Sequence, residues 1–418
     1  MRTLLLVCLL SLPLSAQTIE DDGPFPVGWQ DISFPDPQST GMLDARLYYP
    51  AVSAGQGTAP DPSAGPFPLV GLLHRYLGDP TNYDLLSTHI ASWGFFLASI
   101  DTETGPNALM RREAQDTADM LNWVAAESAD PSSSYFGMVA PGPWGAVGHS
   151  MGGGALFYLI EDEPNVRVLV GMAPYRGGAL GGFAGATANL QAFTGELFLI
   201  GGEEDLTAPP PTHSYRYFTT AQSAARNFHT SVPGMGHQGP TDNPPNNEPL
   251  AAAEQNALHR RLATGFLRAE LKGEEQLYVE LLGEGVAQEP WTQESRTSVP
   301  VFWASSSELI AKAAKVGIAA DDSDAVFVAA SLVPSSIPTG AGVFGLDPQA
   351  AVLVVDEVLS AEGHGEFPVP VSLALQGVPI FFQGFVAGGP GFTRVQAIAV
   401  RTPPFAPTTA TEERPEDS

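Results

Sequence analysis

One stretch limits what this chain can fold into more than any other: Trp144-Gly145-Ala146-Val147-Gly148-His149-Ser150-Met151-Gly152-Gly153-Gly154. An apolar run of strand character meets a cluster of glycines with one serine at the apex, and an apolar segment, Ala155-Leu156-Phe157-Tyr158-Leu159-Ile160, follows at once. A strand that turns straight into a helix strains the backbone at the apex, and only small neighbours let the two elements pack so closely. The pattern predicts a nucleophile elbow at Ser150, with the amides of the following helix aimed at the place where negative charge would develop. A Gly-rich turn carrying a solvated serine has the same spelling, so the strand before and the helix after are what give the motif its meaning.

The rest of the chain supplies a frame for that elbow. Residues 27–34 and 43–49 alternate as antiparallel strands, and a Gly, Pro, Ala and Ser-rich loop covers 51–66. A buried strand at 67–73 runs into His74-Arg75-Tyr76-Leu77-Gly78. Helical spacing at 83–93, an apolar strand at 95–100, an amphipathic helix at 110–126 and the strand at 144–147 follow. Beyond the elbow come strands at 166–172, 197–200 and 227–232 and helices at 214–225 and 251–271. Strands alternating with helices predict an α/β fold with a mostly parallel central sheet covered on both faces, over residues 24–283.

Composition shifts after that. Residues 284–300 are polar, aperiodic and read as a linker. From 301 to 402 short β-rich pieces at 325–330, 351–355, 365–371, 380–386 and 395–400 are separated by Gly, Pro and Asp turns, which predicts a smaller all-β sandwich. Residues 403–418 are rich in Pro, Thr and acid and are expected to be disordered.

Met1-Arg2, an apolar run and Ser15-Ala16 have the order of a secretory leader, so residues 1–16 are expected to be removed on export to the periplasm or the outside of the cell. The apolar run is roughly half of the about 20 residues that a membrane-spanning helix needs, so no transmembrane anchor is expected. Cys8, the one cysteine, lies in that leader, and the mature chain should carry no disulfide. A formal net charge of −27 argues against nucleic acid or an anionic membrane as partner. It is expected to be a solvating surface with no binding role of its own.

A serine hydroxyl needs a base within hydrogen-bond reach and a third group to hold that base. The strand at 197–200 ends in Gly201-Gly202-Glu203-Glu204-Asp205, and the strand at 227–232 ends in Pro233-Gly234-Met235-Gly236-His237. Both loops follow the C-terminal end of a strand, where such sheets keep their sites. Asp205 and His237 are therefore the expected acid and base, with Glu203, Glu204 and Asp101 as alternative acids. His89 and His259 lie on helical stretches with a surface role as the default, and His213 and His229 follow no Gly-rich strand end. His149 is expected to pack beside the nucleophile or to border the substrate. Backbone amides of Met151 and Tyr76 are the expected oxyanion donors, and the rings of Tyr76 and Tyr175 the walls of the acyl pocket. No metal or organic cofactor is expected, since no His/Cys cluster has ligand spacing.

With Gly148-His149-Ser150-Met151-Gly152-Gly153, the Asp205 and His237 loops and Ala45-Arg46-Leu47-Tyr48-Tyr49-Pro50, residues 24–282 resemble the α/β-hydrolase superfamily. Within it the likeness is to the group of dienelactone hydrolases, bacterial cutinases and polyester hydrolases, and platelet-activating-factor acetylhydrolases. The resemblance implies carboxylic ester hydrolysis on a small-molecule or polymeric ester, with Ser150, Asp205 and His237 as the triad. Three departures stand out: Arg75 where relatives have Gly, Tyr175 where polyester hydrolases often have Trp, and the missing disulfide. The C-terminal part resembles β-rich appendages of exported bacterial proteins and carries no catalytic motif. A different class of function, an exported binding or adhesion protein with an idle hydrolase-like domain, would share the same sequence features.

Overall fold

The computed structural model describes residues 18–177, 184–244, 247–283 and, with short gaps, 286–399. The leader expected at 1–16 and the tail expected at 403–418 lie outside the described residues. The chain divides into two compact units, Met1–Ser298 and Val299–Ser418.

The first unit opens with the antiparallel pair β1 (Val27–Pro35) and β2 (Met42–Pro50) and a short β3 (Gly55–Gln56). There follow β4 (Leu69–Leu73), α1 (Asp84–Ser92), β5 (Phe96–Ile100), α2 (Met110–Ala129), β6 (Trp144–His149) and α3 (Met151–Asp162). After them come β7 (Val166–Met172), α4 (Ala184–Ala192), β8 (Glu196–Gly202), α5 (Ser214–Thr220), β9 (Arg226–Val232), α6 (Ala252–Leu271), α7 (Tyr278–Leu281) and β10 (Thr292–Thr297). All ten strands form one sheet in the order β10-β9-β8-β7-β6-β4-β5-β2-β1-β3. From β5 through β9 the neighbours run parallel. β4 to β8 are almost wholly buried and rich in Val, Leu, Ile and Phe, as strands covered on both faces must be. Helices α2 and α3 pack together on one face, α1 and α6 on the other. The fold is the expected α/β architecture.

Strand order places the site. β4 is flanked by β5 on one side and β6 on the other, so connections leave it in opposite directions and the loops after β4 and β6 open a crevice between them. The two loops there are His74–Gly78 and the Ser150 turn.

Two readings are corrected. Residues 292–297, expected in a linker, are β10, an antiparallel edge strand on β9. Thr-Gln-Glu-Ser-Arg-Thr has no apolar period, because an edge strand can face water and keep only small polar side chains such as Ser295 and Thr297 inward. The helix expected over 214–225 stops at Thr220, because the Asn227 amide of β9 donates to the carbonyls of Phe218 and Ala221.

The second unit is all β. One sheet joins β11 (Val301–Ser305), β12 (Ala313–Ala319) and β17 (His364–Pro370). Another joins β16 (Val352–Val358), β13 (Ala325–Ser331), β18 (Pro379–Ala387) and β19 (Gly391–Phe392), with β20 (Gln396–Ala399) also on β18. A hairpin of β14 (Pro334–Thr339) and β15 (Gly342–Leu346) lies beside them in sequence. Phe302, Val316 and Ile318 from one sheet share a core with Val326, Val328, Ile380 and Phe382 from the other, which makes this unit a small sandwich.

Candidate active site

Ser150 sits at φ 52° and ψ −112°, a conformation costly for any residue with a Cβ. The surroundings hold it there: its N–H donates to the Met172 carbonyl of β7 at 3.0 Å, and its own carbonyl accepts from Tyr175 N at 2.8 Å and Gly154 N at 3.0 Å. Gly152 shows why the following glycines are needed. A Cβ on it would lie 2.2 Å from the Leu73 carbonyl oxygen and 2.6 Å from that of His74, so α3 reaches the end of β4 only without a side chain there. Its N–H donates to the His74 carbonyl at 3.0 Å, stitching the elbow to the neighbouring loop.

His237 arrives on the loop after β9. Its Nε2 is 2.8 Å from Ser150 Oγ, and its Nδ1 is 2.7 Å from Asp205 Oδ2. The Asp205 carboxylate is 1 % exposed, and its other oxygen accepts from the amides of Thr207 at 2.8 Å and Ala208 at 2.7 Å. With Asp205 accepting from Nδ1–H, Nε2 is left as the lone pair facing the hydroxyl. Glu203, Glu204 and Asp101 are exposed and make no contact with His237 among the described residues.

Across the crevice, the loop after β4 is held at nearly every polar group. The Arg75 amide donates to the Tyr83 hydroxyl at 3.1 Å, and the Arg75 carbonyl accepts from Gly78 N at 2.8 Å. The Arg75 guanidinium folds back onto the Tyr76 carbonyl at 2.9 Å, and among the described residues it makes no ion pair with an acid. The Tyr76 hydroxyl donates to the Pro106 carbonyl at 3.0 Å. Among the described residues no protein acceptor meets the amide of Tyr76 or of Met151. Two unmet donors at a crevice beside a serine, one of them at the start of α3, are suited to bind an oxyanion.

Tyr175 is half-buried, with its ring against His213 at 5.1 Å between centroids. His213 accepts from Arg176 N at 2.8 Å, and burial lowers its imidazole below the ordinary range. Of the two roles expected for His149, it has the packing one and does not border the substrate. It is fully buried, its Nε2 donates to the His237 carbonyl at 2.8 Å, and its Nδ1 accepts from the Tyr83 hydroxyl at 2.8 Å, so it has no atom for a substrate. Burial first, and then the nearby His237, push it well below the ordinary imidazole range, which keeps it neutral. His89 and His259, expected at the surface, are also buried, the first beside Asp22 at 3.2 Å and the second donating to the Gln255 carbonyl at 2.8 Å. His229 lies inside β9 with Nε2 at 3.1 Å from Ser214 Oγ.

Tyr83 is the functional neighbour that sequence reasoning missed. Its one signal, a tyrosine just before a helix, is shared with many surface residues, and only the fold brings its hydroxyl between Arg75 and His149.

Residues 13–247 match the family described as PETase, PET hydrolase-like. Cutinase 1 of Thermobifida cellulosilytica is 24 % identical over 228 residues, 54 % of this chain and 77 % of that protein. A cutinase of Thermobifida fusca (strain YX) is 24 % identical over the same share of this chain and 67 % of its own length. Lipase 1 of Moraxella sp. (strain TA144) is 26 % identical over 155 residues, 37 % of this chain and 44 % of the lipase.

Proposed function

This chain belongs to the PET hydrolase-like family and is a carboxylic ester hydrolase, and from that premise we propose that Ser150, His237 and Asp205 carry the reaction. His237 takes the Ser150 proton as Oγ attacks the ester carbonyl, and Asp205 steadies the imidazolium that forms. The amides of Tyr76 and Met151 stabilise the tetrahedral oxyanion. His237 protonates the leaving alcohol, and then activates the water that releases the acid from the acyl-enzyme. The observation that carries this reading is the unbroken line from Asp205 through His237 to Ser150, with spacings of 2.7 and 2.8 Å.

The substrate is an apolar ester, soluble or at the surface of a polyester. Tyr76 and Tyr175 wall the acyl site. Leu77 and Leu206, next to Tyr76 and Asp205 in the chain, are 51 % and 93 % exposed. The leader at residues 1–16 supports export, and no described helix is long and apolar enough to cross a membrane. Family membership weighs against the idle adhesive scaffold.

A fluorophosphonate probe should label the purified protein and fail to label Ser150→Ala, and that variant should lose turnover of p-nitrophenyl acetate through laurate. Undiminished turnover in Ser150→Ala ends the assignment. Release of acid monomers from an amorphous polyester film, set against the soluble series, separates the two substrate classes.

A further inference from the structure

His74 is the residue immediately before the oxyanion loop, and it is fully buried. Its Nδ1 is 2.8 Å from the Arg75 carbonyl oxygen, and its Nε2 is 2.7 Å from the Thr102 carbonyl oxygen. A carbonyl oxygen only accepts, so each of these contacts is a hydrogen bond only if the ring nitrogen carries a proton. The Glu113 carboxylate on α2 stands 3.8 Å from Nδ1 and is fully buried. Burial pushes the Glu113 carboxyl well above its ordinary range. The proton that matters here is the one on Nδ1, which faces the Arg75 carbonyl.

The Arg75 carbonyl and the Tyr76 N–H belong to one planar peptide unit and point in opposite directions. Whatever grips that carbonyl therefore aims that amide. Gly78 N closes the turn from one side, and the His74 ring holds the same oxygen from the core. A donor at the carbonyl also polarises the peptide, which makes its N–H a better donor to an anion.

Building on the reading of Tyr76 N–H as an oxyanion donor, we propose that His74 is a positioning residue of the oxyanion hole: by donating from Nδ1 to the Arg75 carbonyl it fixes the plane of the 75–76 peptide and directs the Tyr76 amide at the developing oxyanion. His74 touches no substrate atom. Its effect belongs to the transition state, when charge reaches the ester oxygen, and so falls on kcat with little change in KM.

Two polar replacements separate this role from mere packing. The Asn amide nitrogen falls near the place of Nδ1 and can still donate to the Arg75 carbonyl, whereas the longer Gln carries its amide towards the place of Nε2 and the Thr102 carbonyl. Kinetics on p-nitrophenyl butyrate would be measured for the full-length protein and for His74→Asn and His74→Gln, with active sites counted by fluorophosphonate labelling run to completion. Losing an oxyanion donor outright costs about 10²–10³ in kcat. His74→Gln should lose about 10 to 100-fold in kcat per active site with KM within about threefold, and a trifluoromethyl ketone inhibitor should weaken in step. His74→Asn should keep kcat within about fivefold of the parent protein. Equal kcat in both variants and the parent, or loss in Asn with retention in Gln, overturns the proposal. Full turnover by Ser150→Ala would instead remove the reading on which it rests, which makes the two failures distinguishable.

Discussion

The Tyr83 hydroxyl donates to His149 Nδ1 at 2.8 Å while accepting from the Arg75 amide at 3.1 Å. His149 passes the chain on, donating from Nε2 to the His237 carbonyl at 2.8 Å. One buried phenol thus joins the loop that follows β4 to the loop that carries His237. Each proton in this line has one place to go: the Arg75 amide must donate, so the phenol donates onward, and a neutral His149 keeps its proton on Nε2.

Tyr83→Phe removes the link and leaves the Arg75 amide and His149 Nδ1 buried without partners. Each orphaned group costs about 1–3 kcal/mol. The melting temperature should fall, and kcat on p-nitrophenyl butyrate should drop about tenfold or more because both loops lose their common anchor. An unchanged kcat at full occupancy of folded protein would show that the loops hold their places without it.

Asp205→Asn keeps the size of the acid and can present the wrong tautomer of His237 to the serine. The loss expected of such a change is about 10⁴ in kcat. Since two backbone amides donate to the other oxygen of Asp205, the loop should keep its shape, and thermal melts of variant and parent should differ little.

Gly152→Ala places a methyl 2.2 Å from a backbone oxygen that belongs to β4, with no flexible side chain to yield. The helix would have to leave the strand, and a destabilisation of about 3 kcal/mol or more with lost labelling at Ser150 is expected. Gly105→Ala, where a Cβ meets nothing within 4 Å, serves as the control and should change neither measurement.

Glu196 opens β8 with its carboxyl raised to about 7, by burial first and then by the neighbouring charge of Glu270. The folded state binds this proton more tightly than the unfolded chain, so its contribution to stability is whole below the ordinary carboxylate range and is lost as pH climbs through about 7. Glu196→Gln should therefore raise stability at pH 8, by about 1–3 kcal/mol once the partial exposure is discounted, and make no difference at pH 4. Urea melts at both pH values would test this, and a gain at pH 4 would contradict it.

Truncation after Ser298 leaves β10 on β9, whereas truncation after Gln288 strips the edge strand and bares the hydrogen-bonding side of β9. The longer piece should hydrolyse p-nitrophenyl butyrate like the whole chain, and the shorter should aggregate or melt lower. Equal behaviour of the two pieces would mean that β10 adds nothing to the first unit.

The amino-acid order alone determined the parallel sheet and the elbow, because both rest on local rules. Apolar runs of strand length alternating with helical spacing leave few architectures, and glycines packed around one serine leave few turns. It also singled out Asp205 and His237, since each lies on a loop just past the end of an apolar strand, and a strand's end is legible where its apolar run stops. β10 was hidden for the opposite reason: a polar edge strand owes its conformation to the ladder it joins, not to its own composition. The buried state of His149, and the places of Tyr83 and His74 behind the two loops, were likewise beyond local reading. A histidine or tyrosine is equally at home on a surface, and which one it is depends on residues tens of positions away that only the packed sheet brings within hydrogen-bond reach. Side-chain identity gave the chemistry a vocabulary; the crossing of the chain between β4 and β6 decided which groups meet, and which way each proton points.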